Sequence, residues 1–221
     1  MSVRKLAALA GLATATTVAA APAPALFQGP VLTQDRVLAR AVGSMQVTVG
    51  KASEAAAATG AAEPALPLSA TGYGRSVSFP LSWTPVPEAH AYALVLEELD
   101  PAKPRTVIYW IAYNIPAAVT SLGRAVHNKA EMLGPSGFLQ GVNSAGGLGY
   151  IGPKPPEGDP AHQYHLEVFA LDRMLSIKGG ANIDKLVAAM NDRVVAEGDV
   201  TLAYQPPAPG QAPGEKAKDR D

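Results

Sequence analysis

The sequence predicts a mainly β fold, in which antiparallel sheets pack as a sandwich or Greek-key pair. Several short runs alternate apolar and polar residues or are apolar throughout, and they are rich in β-branched and aromatic residues. Clusters of glycine and proline separate these runs, and only one late segment has the periodicity of a long helix. Many strands followed by one helix indicate a single antiparallel domain.

The predicted strands differ in how they are covered. Residues 91–97 and 106–115 are almost wholly apolar, which is typical of strands buried on both faces. The other runs are shorter or alternate, and each ends at a turn residue. The full set of predicted strands is 45–49, 77–83, 91–97, 106–115, 163–171 and 200–204.

One helix is predicted, from Asn182 to Glu197. Its apolar residues recur with helical spacing: Ile183, Leu186, Val187, Met190 and Val194. Asn182 is suited to cap the first turn and Gly198 to end the helix.

The N-terminal residues have the layout of a secretory signal peptide. Arg4 and Lys5 precede a weakly apolar run, and small residues follow with candidate cleavage after Ala20 or Ala25. The run is too short for a comfortable transmembrane helix, so an exported protein without stable membrane insertion after cleavage is expected. An alanine-rich leader or an uncleaved anchor is the alternative. The predicted organisation is 1–25 signal peptide, 26–44 N-terminal arm, 45–204 domain and 205–221 disordered Pro-rich and charged tail.

Composition narrows the classes of function. The chain has 221 residues, a formal net charge of -1 and no cysteine. Without basic runs or a positive net charge, nucleic-acid binding is not expected. Without cysteine there is no disulfide, thiolate metal site or cysteine nucleophile.

The stretch from Gly141 to Asp172 is the candidate functional region. A glycine-rich loop runs into a proline-rich turn and then into a strand. His162 and Tyr164 are two residues apart on this strand, so they face the same side. Two side chains with polar ends, beside a glycine loop whose backbone can approach a ligand closely, favour a small anion pocket. The alternative is a strand-edge histidine with its polar atoms satisfied by the backbone.

Five segments in this order resemble the phosphatidylethanolamine-binding protein family, also called Raf-kinase-inhibitor-like, in its bacterial branch. The segments are SVSFPLSW (Ser76–Trp83), LVLEELDP (Leu94–Pro101), YWIAYNIPA (Tyr109–Ala117), QGVNSAGGLGYIGPKPP (Gln140–Pro156) and HQYHLEVFALD (His162–Asp172). The resemblance implies a β-sandwich with a small pocket for phosphate-like head groups. It also implies a binding protein rather than an enzyme, without a cofactor. The pocket positions that it implies are Glu98, Asp100, Tyr109, Gly149, His162 and Tyr164.

This chain departs from the family pattern at several of these positions. The family's Asp-x-Asp stands here as Glu98 and Asp100, and its His before Trp is Tyr109. The Asn-Asp pair of the loop is Asn143-Ser144, and the turn cysteine is Lys154. Tyrosine offers a neutral donor where histidine can add charge, so a weaker anion site is expected unless Glu98 turns away or takes up a proton. Tyr109 as a core aromatic, and the two acids as ordinary turn residues, remain the alternatives.

Three functions follow from the sequence, in order of preference. The first is an exported module that binds a small anion or phosphorylated head group, with Asp100 orienting His162. The second is a protein-interaction or inhibitor module that has lost its ligand. The third is a hydrolase that uses Asp100 and His162. A metal site is not expected, because His162 and His165 have opposite parity on a strand, and the glycine loop leads into a proline turn rather than the helix of a dinucleotide site.

Overall fold

The computed structural model describes residues 32–37, 42–50, 63–98 and 105–211, and the structural statements below concern these residues. Several predictions lie outside them. They are the signal peptide 1–25, the pocket residue Asp100 and the tail from residue 212 onward.

The described residues form two β-sheets. The larger sheet has six strands in the order β1-β9-β8-β4-β5-β7, and the smaller has the order β2-β3-β6. All neighbouring strands are antiparallel except β1 and β9. The bounds are β1 Gly43–Ser44, β2 Val47–Thr48, β3 Leu81–Trp83, β4 Ala91–Glu98, β5 Val107–Pro116, β6 Ser121–Leu122, β7 Leu139–Gln140, β8 His162–Leu171 and β9 Val194–Tyr204.

Three long strands, β4, β5 and β8, lie at the centre of the larger sheet. Every residue of β4 is buried. One face of this sheet packs with the smaller sheet in an apolar layer that contains Trp83, Trp110 and Leu166. The other face packs with helices in a second layer, which contains Phe169 and Leu186. The near-continuous apolar sequences of these strands are explained by this double coverage.

The helical segments whose bounds are described are α1 Thr33–Val37, a 3₁₀ turn Leu68–Ala70 and α2 Ile183–Met190. Asn182 caps α2 as predicted, because its side chain accepts a hydrogen bond from the Lys185 amide at 3.1 Å. The predicted end of the helix was wrong. α2 ends at Met190, Asp192 has a positive φ of 57°, and the chain enters β9 at Val194.

Gly198 lies inside β9, opposite Val168, rather than at the end of a helix. A Cβ at this position would approach the Met45 carbonyl oxygen to 2.2 Å. Glycine is therefore required by the close approach of the β1–β2 connection and not by a helix end.

The predicted fold class is confirmed: the chain is mainly β, with two sheets and one late amphipathic helix. The predicted first and second strands are shorter than expected. Tail residues 205–211 are not free of the domain, since Gln205 Nε2 donates to the Asp159 carbonyl and the Gly210 amide donates to Glu157. In the described parts of the chain, no helix has the length and apolar character needed to cross a membrane.

Candidate functional site

The candidate site lies where the C-terminal end of β4 meets the N-terminal end of β8. The two strands are antiparallel, and Glu97 pairs with His165. Glu98, the last residue of β4, is therefore close to the first residues of β8. The neighbouring strand β5 begins opposite Glu98, at Val107. Three different segments thus bring their polar residues to one end of the sheet.

The Glu98 carboxylate connects two of the predicted site residues. Tyr109 donates its hydroxyl hydrogen to Oε2 at 2.6 Å, and His162 Nδ1 lies 2.5 Å from Oε1. An ionised carboxylate only accepts hydrogen bonds, so in the state with Glu98 ionised the proton in this contact is on His162 Nδ1. Glu98 is only 5% exposed. The two contacts offset part of the cost of burying its charge.

His162 contacts a second carboxylate through its other ring nitrogen. Nε2 lies 3.4 Å from Asp159 Oδ2, in the turn three residues before. Each ring nitrogen of His162 therefore faces a carboxylate, Glu98 on the inner side and the more exposed Asp159 on the outer side.

Tyr109 reaches the site through a β-bulge. The pairs between β4 and β5 pass from Leu96–Trp110 to Glu97–Ile108, so β5 advances by two residues across Tyr109 while β4 advances by one. An extra residue in one strand re-aims the side chains around it. As a result, the neighbours Tyr109 and Trp110 both pack on the apolar layer between the two sheets.

Tyr164 forms the buried floor of the site. Its side chain is 0% exposed, and its ring packs edge-on against Tyr109 with centroids 5.5 Å apart. Its hydroxyl has no hydrogen-bond partner among the described residues. Burial, followed by the negative charge of Glu98, raises the pKa of Tyr164 far above its usual value. Tyr164 therefore keeps its O–H as a donor into alkaline solution.

A second group of aromatic and charged residues surrounds the outer part of the site. The rings of Tyr73 and Tyr204 stack with centroids 6.3 Å apart, and Lys154 Nζ lies 5.4 Å from the Tyr73 ring centroid. Tyr73 also donates to the Pro155 carbonyl at 2.7 Å. Tyr204 pairs with His162 across β9 and β8. The proline-rich turn is thus held beside the site by Tyr73, whose ring stacks on Tyr204.

Gly149 is positioned differently from the other predicted site residues. Its φ is +72°, and a Cβ would approach Asn128 Oδ1 to 2.8 Å and Gln140 Oε1 to 3.0 Å. Its carbonyl accepts a hydrogen bond from Asn143 Nδ2 at 3.0 Å. Gly149 therefore packs inside the glycine loop. The loop itself is joined to the site two residues later, where the Ile151 amide donates to the Tyr109 carbonyl at 2.9 Å.

The structure thus brings together Glu98, Tyr109, His162 and Tyr164. Asp100 lies outside the described residues. Among the described residues, Glu98 is the carboxylate that contacts His162 Nδ1. Sequence reasoning missed Asp159, because its contact with His162 depends on the path of the turn and no local pattern reports it.

The opposite face of β8 carries no part of this site. His165 Nδ1 contacts Thr201 Oγ1 at 3.3 Å on that face, in agreement with the predicted opposite parity of His162 and His165. Burial lowers the pKa of His165. Within the described ranges, no group of three or more histidine or acidic residues has an arrangement suited to a metal ion.

Two packed sheets with a glutamate, a histidine and two tyrosines at one end of the central strands define a small β-sandwich of the binding-protein type. The chain belongs to the phosphatidylethanolamine-binding protein family, whose sequence model matches residues 56–205. The resemblance seen in the sequence is confirmed.

Relatives and solved structures agree with this membership. A UPF0098 protein of Methanothermobacter thermautotrophicus is 37% identical over 141 residues, which cover 63% of this chain and 90% of that protein. The crystal structure of Escherichia coli YbcL, described as a new member of the mammalian PEBP family, gives a TM-score of 0.62 at 26% identity, covering 74% of this chain and 99% of YbcL. The Chlamydia trachomatis homologue CT736 gives 0.59 at 27% identity, covering 74% and 98%.

Proposed function

We propose that the protein binds a small phosphorylated head group, or a similar anion, in the site of Glu98, Tyr109, His162 and Tyr164. The buried Tyr164 hydroxyl without a partner carries this proposal. A buried polar group without a hydrogen bond costs roughly 1–3 kcal/mol. A ligand oxygen that accepts from Tyr164 removes this cost, which gives the site a built-in preference for an acceptor.

The charges of the site favour a ligand that brings its own positive charge or proton. Glu98 and Asp159 both flank His162. A fully ionised phosphate dianion meets both negative charges, whereas a zwitterionic head group offers an ammonium to one of them. Phosphoethanolamine is therefore the preferred probe, and the description of the matching family supports the same ligand chemistry.

The same geometry supports binding rather than catalysis. A general base needs a ring nitrogen within reach of a substrate proton. Both nitrogens of His162 already face carboxylates, at 2.5 Å and 3.4 Å. We therefore propose that the site does not use His162 as a hydrolytic base.

Titration of the purified protein tests the proposal. Calorimetry or NMR titration with phosphoethanolamine and with inorganic phosphate is expected to show binding at millimolar ligand, stronger for phosphoethanolamine. His162→Ala should remove the response. His165→Ala is the matched control, because it changes a histidine on the opposite face of the same strand and should leave the response unchanged. No response in the wild type, or equal responses in the wild type and His162→Ala, contradicts the proposal.

A second candidate function is a protein-interaction or inhibitor module without a ligand. The observation that favours it is that Glu98 already occupies the donors of Tyr109 and His162. An affinity pull-down from exported extract, with the wild type and a His162→Ala variant, tests it. This candidate predicts a specific partner whose recovery does not depend on His162, and recovery of no partner counts against it.

We also propose that the protein is exported, on the signal-peptide layout of residues 1–25. Cell fractionation and N-terminal sequencing of the mature protein test this. Recovery of the chain only in the cytoplasm with its N-terminus intact contradicts it.

A further inference from the structure

Two glutamates are buried together on the face of the sheet that is opposite the candidate site. Glu97 of β4 is 1% exposed and Glu167 of β8 is 0% exposed. Each is on the strand parity that points toward the helices. Burying two carboxyl groups side by side requires strong compensation, because their charges repel in a medium of low dielectric constant.

Helix α1 provides hydrogen bonds to this pair. The Thr33 amide donates to Glu97 Oε1 at 2.5 Å, and the Thr33 hydroxyl donates to Oε2 at 2.9 Å. The Gln34 amide lies 3.2 Å and 3.4 Å from the two Glu167 oxygens. The first amides of a helix have no partner within the helix, so the two carboxyl groups satisfy donors that would otherwise be unpaired.

Two other contacts join α1 to the described parts of the domain. Arg36 forms an ion pair with Asp184 of α2 at 2.7 Å, and both side chains are partly exposed. Val37 is buried in the helix-side apolar layer. A five-residue helix has little stability of its own. The protonation state of the glutamate pair therefore has a large effect on whether α1 stays docked on the sheet.

The charged groups around the pair come from each neighbouring element. Glu197 and Asp199 lie on β9, with Asp199 opposite Glu167, and His165 lies on β8 opposite Glu97. Arg36 of α1 is the cation that acts on Glu97. The surroundings are thus more negative than positive, which makes a second ionisation of the pair costly.

Burial raises the pKa of both carboxyl groups. For Glu167, the charge of Glu97 adds to burial and raises the pKa to about 10. The raised pKa values of the two carboxyl groups favour a proton held by the pair at neutral pH. A carboxyl group whose pKa is raised in the docked state favours that state below its ordinary pKa near 4.5, and this preference is lost as the pH rises toward the raised value.

We propose that α1 is a pH-released strap, docked while the Glu97–Glu167 pair holds a proton and undocked when both carboxyl groups are ionised. Undocking lets water reach the two charges, which relieves their repulsion. It also uncovers the face of β4 directly behind Glu98. The strap is thus a conformational device of the domain itself, and it does not depend on which ligand the opposite face binds.

The absence of cysteine from the chain allows a direct test. Cysteines introduced at the exposed positions Asp35 of α1 and Ala188 of α2 can be spin-labelled specifically, and the distance between the labels measured by double electron–electron resonance. Between about pH 6 and about pH 9.5, the long-distance population is expected to rise roughly tenfold or more. In the same labelled background, Glu167→Gln keeps a hydrogen-bond donor without a charge and should show less than about a twofold change.

Two further variants separate the glutamate pair from general loosening of α1. Glu97→Gln removes the neighbouring charge but leaves Glu167 buried, so its rise in the long-distance population should be smaller than that of the wild type. Asp184→Asn breaks the ion pair to Arg36, so it should increase undocking at both pH values while the ratio between them stays that of the wild type. The proposal is overturned if the wild type shows no rise, if the rise persists in Glu167→Gln, or if it disappears in Asp184→Asn. Far-UV circular dichroism establishes that each variant is folded.

Discussion

Replacing Tyr164 by phenylalanine separates the stability of the free protein from its capacity to bind. The change removes one hydroxyl from a side chain that is 0% exposed and keeps the ring that packs against Tyr109. Because this hydroxyl has no hydrogen-bond partner in the described structure, its removal breaks no bond. The free protein should therefore become more stable, whereas most changes in a buried core are destabilising.

The magnitude follows from the cost of burying an unpaired hydroxyl, roughly 1–3 kcal/mol. Some of this gain is lost with the packing of the oxygen atom, so we expect a net stabilisation of about 1 kcal/mol. For a domain of this size, that corresponds to a rise in Tm of about 2–4 °C. Binding should change in the opposite direction. A hydrogen bond from the hydroxyl to a charged phosphate oxygen contributes about 1.5–3 kcal/mol, so Tyr164→Phe should weaken phosphoethanolamine binding by about tenfold or more.

Thermal and urea unfolding followed by circular dichroism, together with calorimetric titration, measure both effects. Tyr150→Phe is the matched control. Tyr150 is also buried, but its hydroxyl donates to the Ala70 carbonyl at 2.5 Å. Removing that hydroxyl leaves a carbonyl unpaired, so Tyr150→Phe should lower stability by roughly 1–3 kcal/mol.

An equal destabilisation of the free protein by Tyr164→Phe and by Tyr150→Phe would contradict this prediction. That result would mean that the Tyr164 hydroxyl is satisfied in the free protein in solution. A stabilised variant with unchanged affinity would refute the second part, since Tyr164 would then not contact the ligand.

Three other predictions concern the site, the fold and its pH dependence. Glu98→Gln removes a negative charge beside His162 and should strengthen inorganic phosphate binding by about tenfold, as measured by calorimetry; equal or weaker binding would contradict the assigned repulsion. Gly198→Ala forces a Cβ to within 2.2 Å of the Met45 carbonyl oxygen and should lower the free energy of unfolding by about 2 kcal/mol or more in urea, whereas a neutral effect would show that the two segments separate easily. Because burial raises the pKa of Glu167 to about 10, the urea midpoint of the wild type should fall as the pH rises from about 6 to about 9, and a similar fall in Glu167→Gln would exclude this glutamate as its origin.

The central strands could be predicted because their sequences are nearly all apolar and bounded by turn residues. The helix was predicted too long for a physical reason. Its apolar periodicity continues through Val194, but Asp192 takes a positive φ of 57° and the following residues pair with β8. Long-range strand pairing outweighs a local helical pattern, and the sequence pattern does not contain that information.

The N-terminal helix was missed for a similar reason. The groups that hold α1 are Glu97 and Glu167, which are 64 and 133 residues away from their partners Thr33 and Gln34. Nothing in the local sequence of α1 reports these contacts. Helix propensity and apolar periodicity do not predict a short helix that is stabilised by carboxyl groups distant in the sequence.

The part of the site on β8 could be predicted from the alternation of side chains along a strand. His162 and Tyr164 face one side because side chains alternate along a strand. The position of Tyr109 depends on a bulge, and the contact of Asp159 depends on the path of a turn. These are properties of the three-dimensional chain, so the sequence could supply Tyr109 only through family resemblance and could not supply Asp159.

The two successive glutamates at the end of β4 have a consequence for the alignment of the strand itself. All eight residues of β4 are buried, and those before Glu97 are apolar or aromatic on both faces. Hydrophobicity alone therefore does not distinguish one face from the other, as it does in a half-exposed strand. Glu97 and Glu98 distinguish the two faces, because the hydrogen-bond donors of each lie on one side of the sheet: Thr33 for Glu97, and Tyr109 and His162 for Glu98. A slip by one residue, or a single deletion within β4, would place each carboxylate opposite the wrong hydrogen-bond partners. The two acids therefore determine the register in which β4 pairs with its neighbours.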